Sequence, residues 1–140
     1  MDTTVLSLAS LELNELEAFV ELMFLAAYTD GRVSAAERAA FRGQVVRGTH
    51  GQLPDELVDA MLGAIEARMA DVDRDAQLRL IRERLADPRK RRAALAHAAA
   101  VVLADGALDV SEVEFMNRAA AALGETKESV ERMLREAQEG

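Results

Sequence analysis

The chain contains no cysteine. That excludes a disulfide framework, thiolate metal sites, a cysteine nucleophile and thiol redox chemistry. Tryptophan is also absent, aromatic residues make up 4% of the chain, and proline occurs only twice, at 54 and 88. The N-terminal stretch MDTTVLSLASLELNEL has no basic segment, and acidic residues interrupt its apolar run, so no signal peptide is expected. The longest stretch of low polarity, AALAHAAAVVLA at 93–104, falls short of the roughly 20 residues a membrane helix needs. Insertion into a membrane is not expected, and the expected location is the cytoplasm. Positive charge is in deficit: the formal net charge is −8. Binding to nucleic acid relies on lysine and arginine to neutralise phosphates, so nucleic acid is not an expected partner. Cations and basic proteins suit this balance better.

What the chain has instead is helix-forming sequence. Half of its 140 residues are apolar, and Ala, Leu, Glu and Arg, all strong helix formers, dominate. The length suits one domain with a single core. Leu13, Leu16, Phe19, Val20, Met23, Phe24 and Ala27 recur at helical spacing, predicting a first helix over about 11–28. Ser34 with Glu37 three residues on reads as a capping box opening a second helix to about Arg47. PDELVDAMLGAIEARMA predicts a third, with Pro54 as its first residue. Asp73 or Asp75 caps a fourth at about 75–86. Asp87-Pro88 opens a fifth that runs to Ala104, and Asp109 or Ser111 caps a sixth that Gly124 closes. Thr126 caps the last. No stretch alternates with period two. The fold class expected is all-α, a compact bundle of about seven helices.

The chain also repeats itself. YTDGRVSAAE at 28–37 is matched by LADGALDVSE at 103–112; in each, an Asp-Gly turn follows an apolar helix and a Glu stands seven residues after the Asp. ELVDAML at 56–62 and ESVERML at 128–134 also fall at corresponding places. This predicts one domain over 1–140 built as a pseudo-two-fold pair of three-helix halves, about 11–70 and 88–138, with 75–86 as a connector.

Each turn carries the second half of a calcium loop: Gly at the sharp turn and Glu six residues later. The first half is missing in both, because Ala26 and Tyr28, or Val101 and Leu103, stand where ligands would be. Calcium takes about six to eight oxygens, so one such turn is not a complete site. Two turns beside a symmetry axis could pool Asp30, Glu37, Asp105, Asp109 and Glu112 around a hard divalent cation: calcium, magnesium or manganese. The other reading is structural. Asp-Gly is a common turn, and Ser34 with Glu37, or Asp109 with Glu112, are then capping boxes that also complement the helix dipole.

The blocks FLAAYTDGRVSAAERAAF (24–41) and AAAVVLADGALDVSEVEFMNRAAAALG (98–124) resemble the TerB-like family, small helical domains named after a tellurite-resistance protein. The resemblance spans roughly 11–137. It implies a helical bundle with internal pseudo-symmetry and an acidic cluster that takes a divalent cation. Asp30, Glu37, Asp105 and Glu112 inherit the acidic role, together with Asp109; Ser34 stands where the second copy has Asp109. It also implies a stress-response or tellurite-linked setting and a protein partner.

Three further features have competing readings. DPRKRR at 87–92 is either a docking patch or a solvated face. His97 is either a core residue or a ligand on the Asp105 side of its helix, while His50 reads as an exposed loop residue. Met23, Met61, Met69, Met116 and Met133 fit core packing or a pliable groove. No nucleophile-base pair, phosphate loop or dinucleotide fingerprint is visible. The expectation is therefore a non-enzymatic domain with paired acidic turns, the alternative being a protein-interaction module without metal.

Overall fold

The computed structural model describes residues 11–28, 33–49, 51–104 and 110–139. They form seven helices: α1 Leu13–Ala27, α2 Ala35–Gly48, α3 Asp55–Asp71, α4 Arg74–Arg84, α5 Pro88–Ala104, α6 Val110–Ala122 and α7 Lys127–Glu139. No strand occurs among the described residues. The all-α bundle expected from composition and periodicity is the fold observed.

Local chemistry sets most boundaries. The Ser34 hydroxyl accepts from the Glu37 amide at 3.1 Å, and Glu37 Oε1 accepts from the Ser34 amide at 2.9 Å, completing a capping box. Asp73, not Asp75, caps α4 by accepting from the Ala76 amide at 2.7 Å. The Thr126 hydroxyl accepts from the Ser129 amide at the start of α7. Gly124, at φ +80°, closes α6; the amides of Gly124 and Glu125 return to the carbonyls of Ala121 and Ala120. Two starts differ from expectation. Pro54 adopts an extended conformation one residue before α3 and serves as its N-cap. α1 begins at Leu13, where the Glu15 carboxylate accepts from the Glu12 amide. Asp73→Ala is expected to cost about 1 kcal/mol of stability, measured by urea denaturation.

α1 is the central element. Every residue from Ala18 to Ala26 is buried, so this helix is enclosed on all sides rather than amphipathic. α5 lies beside it and runs the same way. Lys90 Nζ donates to Glu15 Oε2 at 2.7 Å near the two N-termini. Phe19 and His97 meet midway, with ring centroids 5.8 Å apart. Ala27, Tyr28 and Val101 share one cleft near the two C-termini. α7 packs on α5, α4 on α1 and α6, and α2 mainly on α3. Met23, Met61 and Met116 are buried in the core, with Met69 and Met133 packed against it; these five serve core packing. No described helix is long and apolar enough to cross a membrane.

Candidate functional site: one end of the α1/α5 pair

Parallel packing of α1 and α5 has a direct consequence for the duplicated turns. The segment joining α1 to α2 leaves from Tyr28, and the one joining α5 to α6 leaves from Ala104. Both therefore depart from the same end of the central pair. An antiparallel pairing would have sent them to opposite ends.

Of the five acidic residues expected at a cation site, Asp30, Asp105 and Asp109 lie outside the described residues. Glu37 is exposed in the first turn of α2, with one oxygen engaged in the capping box. Glu112 is 8% exposed in the first turn of α6. Both keep the N-terminal positions at which a carboxylate complements the helix dipole. Among the described residues no three His, Asp or Glu side chains are grouped to hold an ion. The donor type fits a hard divalent cation, since carboxylates are the oxygen ligands such ions prefer.

Beside these ends Phe24, Tyr28 and Phe41 collect. Phe24 is fully buried, with ring centroids 5.0 Å from Tyr28 and 5.2 Å from Phe41. The Tyr28 hydroxyl donates to the Glu37 carbonyl at 3.1 Å. This cluster fixes the start of α2 against the end of α1.

A second polar assembly was not anticipated. Glu21 is completely buried in the middle of α1. Its Oε1 accepts from Arg68 Nη2 at 2.6 Å and Arg84 Nη2 at 2.7 Å; its Oε2 accepts from Arg68 Nε at 3.1 Å and Gln77 Nε2 at 2.8 Å. Arg68 Nη2 also donates to Glu17 Oε1 at 2.9 Å. Burial alone would raise the Glu21 pKa, but the hydrogen bonds from Arg68, Arg84 and Gln77 outweigh it and hold the carboxyl below its ordinary value. The Arg68 pKa is pushed up, chiefly by its hydrogen bond to Glu21. Arg74, whose Nη1 donates to Gln77 Oε1 at 2.8 Å, is shifted the other way by burial and by the Arg118 charge. The assembly ties α1, α3 and α4 together. Its sequence signal is a single acid inside the otherwise apolar run AFVELMFLAA at 18–27: a helix buried all round must bury that acid and supply it with partners.

The cations of the basic run at the start of α5 have partners within the molecule, although Arg89 and Arg92 stay exposed. Arg89 pairs with Asp87 at 3.3 Å, Lys90 with Glu15 at 2.7 Å and Arg92 with Glu125 at 3.6 Å. Arg91 Nη1 donates to the carbonyls of Leu85 and Ala86, just beyond α4. The Asp87 carboxyl accepts from the Arg89 amide, which lowers its pKa. These contacts favour an internal role for DPRKRR over a docking patch. His97 packs half-buried on Phe19, and His50 lies outside the described residues.

No curated protein and no solved structure matches the chain. A family model described as tellurite resistance protein TerB matches residues 16–135. The match begins inside α1 and ends inside α7, so it takes in both acidic turns and every helix between them. The chain belongs to the TerB family.

Proposed function

We propose that this TerB-family domain is a non-enzymatic cation-binding element that works within a stress-response assembly in the cytoplasm. In this reading the ion is held by carboxylates from both Asp-Gly segments: Asp30, Glu37, Asp105, Asp109 and Glu112. The observation that carries it is the parallel packing of α1 and α5, from which both acidic segments leave at one end. An ion there would neutralise the charge of those carboxylates and fasten the α1–α2 junction to the α5–α6 junction.

A second reading, an interaction module in which these acids serve only as caps, is favoured by the capping box that Ser34 and Glu37 form. Thermal melting after chelation separates the two, because an ion that binds only the folded chain must raise its stability. The cation reading expects calcium, magnesium or manganese at about 100 times its dissociation constant to add roughly 2.7 kcal/mol. It expects no gain in an Asp30→Asn/Asp105→Asn variant. Melting curves of the unaltered chain that ignore all three ions would favour the second reading.

A further inference from the structure

α2 is seated less completely than α6, which follows the second Asp-Gly turn as α2 follows the first. α6 packs on α1, α4, α5 and α7, whereas α2 packs mainly on α3. That contact carries polar bonds: Arg42 Nη1 donates to Asp59 Oδ2 at 3.0 Å, and Arg38 Nη2 donates to the Asp59 carbonyl at 3.1 Å. On its other side, toward the ends of α1 and α5, a cleft of about 220 Å³ opens. Half-buried Tyr28 supplies aromatic surface, with the buried Phe41 ring packed against it, Ala40 and Val101 supply small aliphatic surface, and Gln44 and Glu37 supply polar groups.

The volume suits one long side chain, and the lining indicates which kind. Ring faces attract a cation, guanidinium most often. The Tyr28 ring is immobilised for this by its hydroxyl bond to the Glu37 carbonyl and by Phe24 and Phe41. Glu37 adds a negative charge, and its capping bond to Ser34 offsets the positive end of α2. Gln44 is exposed and has a carbonyl able to accept from a guanidinium. The net charge of −8 favours approach of a basic segment.

We propose that this cleft receives an arginine side chain from a basic segment of a partner protein. The guanidinium lies against the Tyr28 ring and faces Glu37 and Gln44. The site is separate from the proposed ion in all but Glu37, and it needs no metal.

The test is an NMR titration of the whole chain, in chelator, with N-acetyl-arginine methylamide and with its uncharged citrulline analogue. The arginine probe is expected to saturate and to shift Tyr28, Ala40 and Gln44; the citrulline probe should bind about tenfold more weakly. Gln44→Lys, an exposed change that places a positive charge at the cleft, should abolish the arginine response, and Gln44→Glu should tighten it about threefold. Equal responses to the two probes, no response to either, or a response unaltered by Gln44→Lys would overturn the proposal. Chelator in the buffer keeps the outcome independent of ion binding.

Discussion

Glu21→Ala is expected to destabilise the protein by about 3 kcal/mol, the lower end of the loss seen when one partner of a buried ion pair is removed. For a chain of this length that lowers the melting temperature by roughly 10 °C. The substitution leaves Arg68 and Arg84 facing a space without a carboxylate and strips Gln77 of its acceptor. The loss sits at the lower end because the arginine side chains are 27% and 22% exposed and Arg68 keeps Glu17. Glu21→Gln should fall between the alanine variant and the unaltered chain. It retains shape and one acceptor oxygen but places an amide group against guanidiniums.

The same residue sets an acid limit. Its folded-state pKa lies below the ordinary value of 4.5, so its contribution to stability is fully present above that value. The contribution is lost as pH falls through the lower, folded-state pKa. Denaturation midpoints of the unaltered chain should therefore decline below about pH 4.5. The Glu21→Gln variant should lack that part of the decline, and parallel curves for the two proteins would show that Glu21 is not the group responsible.

Phe24→Ala is the second large effect, expected at about 3–5 kcal/mol. Phe24 is fully buried and is the ring against which both Tyr28 and Phe41 pack. Truncation leaves a cavity where α1 meets α2, whose remaining ties include the Tyr28–Phe41 ring contact and the Tyr28 hydroxyl bond to the Glu37 carbonyl. Denaturant melts report the loss. Amide hydrogen exchange adds a local readout: protection should fall in α2 before it falls in α5, whose contacts with α1 and α7 remain.

The helices were readable because their ends are punctuated by residues with local tasks. Asp73, Thr126, Ser34 with Glu37, and Gly124 each act within a few residues of themselves, so spacing alone reveals them. Pro54 misled by one position because proline's fixed φ suits an extended N-cap as well as a first helical turn. Glu21 was overlooked for the opposite reason. Its partners stand 47, 56 and 63 residues away in the chain, and no local pattern links an acid to cations at such distances. The basic run at 87–92 could be read as a patch or as a solvated face because Glu15 and Glu125, which pair with part of it, come from α1 and the segment before α7. The duplicated turns were evident from the sequence. That both segments leave one end of the molecule depended on whether α1 and α5 run parallel, which only packing decides.

Calorimetric titration measures most directly whether those two segments act as one site. The chain, stripped of metal, is titrated with calcium, magnesium and manganese beside Asp30→Asn and Asp105→Asn single variants. A shared site predicts one ion per chain, with affinity weakened by either substitution alone. Two ions per chain, each lost with only one of the substitutions, or heats indistinguishable from dilution for every ion, would contradict it.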